Sequence, residues 1–200
     1  MINILVINGS PRPSGNTNHA INSFLKFLPD EHSFSINRLN LCDLTINHCR
    51  GCNICAENGG ECVIVDDMVS IYESIENSDV VIMATPIYFS GPSSYMKQMI
   101  DRCQCIWMRE VESPSKRLGI MIAVSGQKDA NFKNTRSIIK SFLNTIGAEW
   151  GGELIYPGYD DCGELAADEG TILMTQEGAK NIYSKITEGH TPRPSGGEGV

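Results

Sequence analysis

The chain has 200 residues, 41% of them hydrophobic, which suits one well-buried core and shows no compositional break that would mark a second domain. Its formal net charge of -8 argues against nucleic acid or an anionic membrane as the main partner, because either requires a cationic footprint. The longest apolar stretches, Val80 to Ala84 and Ile120 to Val124, are far too short to cross a bilayer, and the opening residues carry no basic leader, signal core or small-residue cleavage site, so a cytoplasmic, reducing location is expected.

Ile2 to Ile7 is a short, branched apolar run ending in Asn8-Gly9-Ser10-Pro11, the form of a strand buried on both faces. Asn16 and Thr17 are good caps for a helix in which Ile21, Phe24, Leu25 and Leu28 fall at helical spacing before Pro29. Phe34 to Leu41 reads as strand two. A cysteine-rich loop intervenes, and Asp66-Asp67 cap a helix carrying Met68, Ile71, Tyr72 and Ile75. Val80 to Ala84 is strand three. Pro92 opens a helix with Tyr95, Met96, Met99, Ile100 and Cys103 at helical period, followed by strand four at Leu118 to Val124. Ile138 to Ile146 lies in the next helix, Glu153 to Tyr156 is strand five, and a helix from about Gln176 to Ile186 closes the fold. The domain is expected to span residues 1–188. Residues 189–200 have no apolar periodicity and read as a disordered tail.

Alternating strands and helices predict a parallel sheet covered on both faces, because each crossover packs its helix back on the sheet. After strand one the chain offers Gly9-Ser10-Pro11-Arg12-Pro13-Ser14-Gly15, which does not match the dinucleotide fingerprint G-x-G-x-x-G, and there is no Walker lysine. Five strands with a Ser/Thr/Asn-rich first loop fit an α/β three-layer sandwich of the flavodoxin-like order 2-1-3-4-5, in which FMN binds where the strand order reverses.

Ser10, Arg12, Ser14, Asn16 and Thr17 place hydroxyls, an amide and a guanidinium where a helix begins, and its free N–H groups and dipole favour a phosphate. An ordinary capped polar turn is the competing reading of that loop alone. Strand three ends in Thr85-Pro86-Ile87-Tyr88-Phe89-Ser90-Gly91, read as a rigid aromatic turn, and strand four ends in Ser125-Gly126-Gln127. In the flavodoxin-like order these three loops converge on one crevice, the first holding the phosphate and the other two edging the isoalloxazine.

Cys49, Cys52, Cys55 and Cys62 occupy one fourteen-residue window, half of the chain's 8 cysteines. Thiolates are the soft donors that iron-sulfur clusters and zinc select. Zinc usually takes two C-x-x-C knuckles with a long spacer, absent here, and the run is closer to the bacterial ferredoxin pattern, with Val63 in place of the proline after the last cysteine. Zinc and unliganded or redox-active thiols remain the competing readings. A disulfide ladder conflicts with a reducing compartment.

These motifs together resemble the iron-sulfur flavoproteins of the NADPH-dependent FMN reductase group. The resemblance rests on Gly9-Ser10-Pro11-Arg12 with Gly15-Asn16-Thr17, on Cys49-x-Gly51-Cys52-x-x-Cys55 with Cys62 and Asp66-Asp67-Met68, and on Thr85-Pro86-Ile87-Tyr88 with Ser94, Lys97 and Asp101-Arg102, across about residues 1 to 186. It implies FMN plus a 4Fe-4S cluster, a homodimer or homotetramer, and electron exchange between a ferredoxin-like one-electron carrier and a small acceptor. The alternative is an NAD(P)H-dependent FMN or quinone reductase whose cysteines bind zinc or nothing. A pure flavodoxin-type carrier is disfavoured, since such carriers do not need two centres. No acid-base catalytic residue is demanded.

Plainer roles are expected elsewhere. Cys42, Cys103, Cys105 and Cys162 lack ligand spacing and read as structural. Trp107 and Trp150 read as packing residues, and His19, His32 and His190 as surface or helix residues. His48 is divided between support of Cys49 and a solvated loop position, and Lys97 with Asp101 at i,i+4 between a helix-surface pair and a flavin-related duty.

Overall fold

A computed structural model describes residues 1–28, 34–109 and 117–189. Five long strands, β1 (Ile2–Asn8), β2 (Phe34–Asn40), β3 (Val80–Tyr88), β5 (Arg117–Ser125) and β6 (Ala148–Pro157), form a parallel sheet in the order β2-β1-β3-β5-β6. The expected strand order is therefore observed. A sixth, two-residue strand, β4 (Gly91–Pro92), pairs antiparallel with the end of β3 and raises the count above the five expected.

Alternation along the central strands splits the core into two layers. Ile4 and Val6 of β1 and Ile82 and Ala84 of β3 pack with Ile21 and Phe24 of α1 (Asn16–Lys26) and Ile182 of α8 (Glu169–Gly189). Leu5, Ile7, Val81 and Met83 point the other way. They meet Met68 and Ile71 of α3 (Met68–Glu76), Met96 and Met99 of α4 (Ser94–Arg102), and Ile139 and Phe142 of α6 (Lys133–Thr145). Each such buried side chain contributes about 2 kcal/mol from lost water contact, so burial on both faces explains why β1 and β3 read as continuous apolar runs. Three short α-helices, α2 (Ile54–Glu57), α5 (Gln104–Trp107) and α7 (Glu164–Ala167), and one 3-10 turn at Leu41–Asp43 complete the described elements.

Several expected boundaries shift, each for a local reason. Gly15, rather than Asn16 or Thr17, holds the N-cap position of α1, and no side chain caps it. Asp67 occupies the cap position of α3 without a capping bond; Asp66 supplies it instead, its Oδ1 accepting the Met68 N–H at 3.1 Å. Thr85 to Tyr88 continue β3 instead of forming a turn, because β4 pairs with Ile87 and Tyr88; the reversal falls at Phe89 and Ser90, both at positive φ. Pro92 consequently lies in β4, and Ser93 caps α4 by accepting the Met96 N–H. The last helix starts at Glu169, earlier than expected, with Asp168 Oδ1 accepting the Thr171 N–H. Pro29, His32, His190 and the expected tail lie outside the described residues, apart from Gly189 at the end of α8.

Candidate functional site

The carboxyl ends of β1, β3, β5 and β6 surround a crevice of about 530 Å3, within the size range of small-molecule sites. The first wall is the loop between β1 and α1. Ser10 is buried there, with its N–H on Asn8 Oδ1 at 3.0 Å and its Oγ accepting the Arg12 N–H at 3.2 Å. Thr17 is buried and also lines the crevice. The N–H groups of Asn16 and Thr17 belong to the first turn and have no intrahelical acceptor, and no carboxylate stands in that turn. An uncapped helix end beside a guanidinium, Arg12, favours a dianionic group.

Pro86, Ile87, Tyr88 and Phe89 form the second wall, and Ser125 and Gly126 the third. The sequence thus correctly places three loops on one crevice. Two expected members stand back from it. Ser14 is exposed and does not line the crevice. Thr85 is fully buried; its Oγ1 donates to the Pro86 carbonyl at 2.9 Å and accepts the Ser93 N–H at 3.0 Å, so it shapes the wall from behind.

A fourth wall, Tyr159 and Asp160, follows β6 and was not anticipated. Asn16 builds it. Its Nδ2 donates to the Asp161 carbonyl at 2.8 Å, and its Oδ1 accepts the N–H groups of Gly163 at 3.2 Å and Leu165 at 3.3 Å. The Asn16 side chain is therefore spent on holding this loop, which leaves the backbone N–H as the donor that Asn16 can offer a ligand in the crevice it lines. Glu164 Oε2 accepts the N–H groups of Asp160 and Asp161, and Arg12 Nη1 donates to the Asp160 carbonyl at 3.3 Å. Burial pushes the Tyr159 phenol up, and its hydroxyl donates to Asp168 Oδ2 at 2.8 Å. A signal was present in Pro157-Gly158-Tyr159-Asp160, a turn-rich run at the carboxyl end of a parallel strand.

The four cysteines of the second motif lie on the segment between β2 and α3. Cys49 and Cys52 are exposed, Cys55 and Cys62 half-buried, and all are free thiols. Among the described residues, no group of three or more His, Cys, Asp and Glu side chains stands in position to hold a metal ion. The donor set nonetheless fits a thiolate-bound centre in kind and number. Beside it, Arg102 is wholly buried, with one N–H on Cys62 Sγ at 3.5 Å and its Nε without an acceptor among the described residues. His48 and Cys49 line a separate shallow recess with Lys97 and Gln98.

The remaining residues behave mostly as expected. Cys103 and Cys105 are buried, and burial pushes both thiols up. Cys42 is half-buried and Cys162 exposed. Lys97 and Asp101 form an exposed i,i+4 pair at 2.6 Å on α4. Trp150 is half-buried with Lys140 4.5 Å above its ring, whereas Trp107 is 66% exposed and is not a packing residue among the described residues. Tyr156 is buried against Thr175, and burial pushes its phenol up to about 12.

A parallel sheet in this order, with an uncapped helix end opening on a crevice at the carboxyl ends of its strands, defines a flavodoxin-like nucleotide-binding protein. The chain belongs to the NADPH-dependent FMN reductase family, whose model matches residues 2–148. It is a flavin-dependent oxidoreductase, with FMN as its cofactor. An iron-sulfur flavoprotein of Methanocaldococcus jannaschii is 28% identical over 195 residues, covering 92% of this chain and 95% of that protein. A second from the same organism is 32% identical over 141 residues, 68% of each chain. Among solved structures, an NAD(P)H:quinone oxidoreductase from Methanothermobacter marburgensis aligns with a TM-score of 0.64 at 11% identity, covering 95% of this chain and 99% of that one, a likeness of fold. No described helix is long and apolar enough to cross a membrane.

Proposed function

We propose that this oxidoreductase binds FMN in the four-walled crevice and a 4Fe-4S cluster on Cys49, Cys52, Cys55 and Cys62, and passes electrons between a ferredoxin-like one-electron carrier and a small acceptor. The observation that carries the flavin half is the uncapped, acid-free start of α1 facing a crevice lined by Arg12, Thr17 and Tyr88. Bound FMN supplies a ring that exchanges one or two electrons, and a cluster exchanges one at a time. The chain's own residues bind and orient. Ser10, Arg12 and the N–H groups of Asn16 and Thr17 would take the phosphate, while Pro86 to Phe89 and Ser125-Gly126 would edge the ring. Tyr159 and Asp160 would close the crevice from the β6 side.

The cluster half is supported by four free thiols on one loop and by the printed names of the relatives. Eight cysteines without a disulfide among them also suit a reducing cytoplasm. A homodimer or homotetramer is part of the same reading, as is transient docking of NAD(P)H over the flavin.

A second reading is favoured by one specific observation, the match of residues 2–148 to the NADPH-dependent FMN reductase family. It is an NAD(P)H-dependent FMN or quinone reductase whose cysteines bind zinc or nothing. Measuring iron, acid-labile sulfide, zinc and flavin on protein purified without oxygen separates the two. About four iron and four sulfide per chain with FMN is expected. Flavin with zinc, or with no metal, would leave the simpler reductase.

A further inference from the structure

Arg102 ends α4, yet its side chain serves another part of the molecule. Its Nη1 donates to the Asn47 carbonyl at 2.8 Å and to Asp66 Oδ2 at 2.5 Å. Its Nη2 donates to the Ile64 carbonyl at 3.1 Å and reaches Cys62 Sγ at 3.5 Å. All four partners lie on residues 47–66, at the two ends of the cysteine loop. The same ends are tied again without it: Asp66 Oδ2 accepts the Asn47 N–H at 2.8 Å, and Asp67 Oδ2 accepts that of Thr45 at 2.6 Å. The Asp67 N–H returns to the Thr45 carbonyl at 3.2 Å.

The Arg102 and Asp66 side chains are 0% and 3% exposed. A fully desolvated ion pair is costly unless its hydrogen bonds are filled; here both Nη groups are spent on loop carbonyls, Asp66 and a thiol, and only Nε lacks an acceptor among the described residues. An ordinary helix-ending arginine would instead cap its own last carbonyls. Behind the loop, Arg109 Nε donates to the Gly60 carbonyl at 3.3 Å, and the Gly60 N–H donates to the Cys55 carbonyl at 2.9 Å. The half of the loop carrying Cys55 and Cys62 is thus backed by the end of α4 and by α5. Cys49 and Cys52 are exposed.

We propose that Arg102 is the positioning residue of the cysteine loop. It closes the loop at its stem and presents Cys62 as a fixed donor toward which Cys49 and Cys52 move when a metal centre is bound. This rests on the reading of the four cysteines as ligands, while the stem closure stands apart from it. Arg102 makes the closure through a planar fork that reaches a carboxylate, two carbonyls and a sulfur at once, which a lysine cannot do.

The test uses the full chain without metal, as wild type, R102Q and R102K, with thermal melts to establish folding. Amide hydrogen exchange over residues 45–67 reads the stem, and anaerobic titration with Co2+, followed by its thiolate charge-transfer bands, reads the donor set. In R102Q, exchange at Asn47 and Asp67 is expected to quicken at least about tenfold, and Co2+ affinity to fall about tenfold, the usual effect of removing a residue that orients ligands. R102K keeps a cation beside Asp66 but cannot reach the Asn47 and Ile64 carbonyls together, so its exchange should quicken severalfold, less than in R102Q, and Co2+ affinity should fall severalfold. If R102Q does not fold, R102K carries the test. Unchanged stem exchange in folded R102Q, or wild-type Co2+ affinity in R102K, would overturn the proposal. Wild type that takes up no iron and sulfide on reconstitution would instead sink the cluster reading and leave the exchange result standing.

Discussion

Ser93 Oγ donates a 2.6 Å hydrogen bond to the carbonyl of Gly9 and accepts the N–H of Met96, so one buried hydroxyl caps α4 and fastens the phosphate-side loop to it. Gly9 must be glycine for this approach: a Cβ there would lie 2.9 Å from both Met96 Cβ and Ser93 Oγ. Ser93→Ala removes the cap and leaves a buried carbonyl unpaired. A loss of about 2 kcal/mol in urea unfolding is expected, with weaker FMN binding in a fluorescence titration.

Phe89 is fully exposed and sits at φ 49°, so its ring is unburied among the described residues while its backbone carries strain. Phe89→Gly should therefore leave stability within about 0.5 kcal/mol of wild type, or raise it slightly. If the ring contacts the flavin, FMN affinity falls by about 1 kcal/mol in the same variant. Unchanged affinity would remove Phe89 from the binding surface.

Gly126 lies directly against Asp160 at the rim of the crevice, and a Cβ at Gly126 would stand 2.9 Å from the Asp160 carboxyl carbon. Gly126→Ala is expected to push the fourth wall outward and weaken FMN binding severalfold. The double variant with Asp160→Gly should recover most of that loss. No recovery would show that the methyl group obstructs the ligand itself.

Asp66 supplies the pH dependence. Burial alone would push its carboxyl up, but Arg102 and the N–H groups of Asn47 and Met68 outweigh it and hold the group at about 2. An unfolded aspartate titrates near ~3.9. The folded value is the lower one, so this stabilisation is complete above about pH 4 and is lost as pH falls through about 2. Its size is about 2 kcal/mol. Urea unfolding of the metal-free protein between pH 5 and pH 2 should show that slope, and Asp66→Asn should flatten it while lowering stability at pH 7 by about 3 kcal/mol, as for a broken buried pair.

The parallel strands were legible because burial on both faces leaves β1, β3 and β5 as short, nearly continuous apolar runs. The three crevice loops were legible because ligand sites lie beyond the carboxyl ends of such strands. β4 was not, since two residues carry no periodicity and their pairing with Ile87 and Tyr88 depends on the reversal at Phe89 and Ser90.

What the sequence by itself determined is the alternation of strands and helices that a doubly wound sheet requires, the polar start of α1 and the four thiols on one segment, all of which follow from local pattern and spacing. Only the tertiary structure decided that the Asn16 side chain holds a wall more than 140 residues away, and that Arg102 grips both ends of the cysteine loop. Those partners have no spacing to read. A polar side chain takes whichever buried acceptor the packed layers bring within about 3 Å, and that distance exists only after folding.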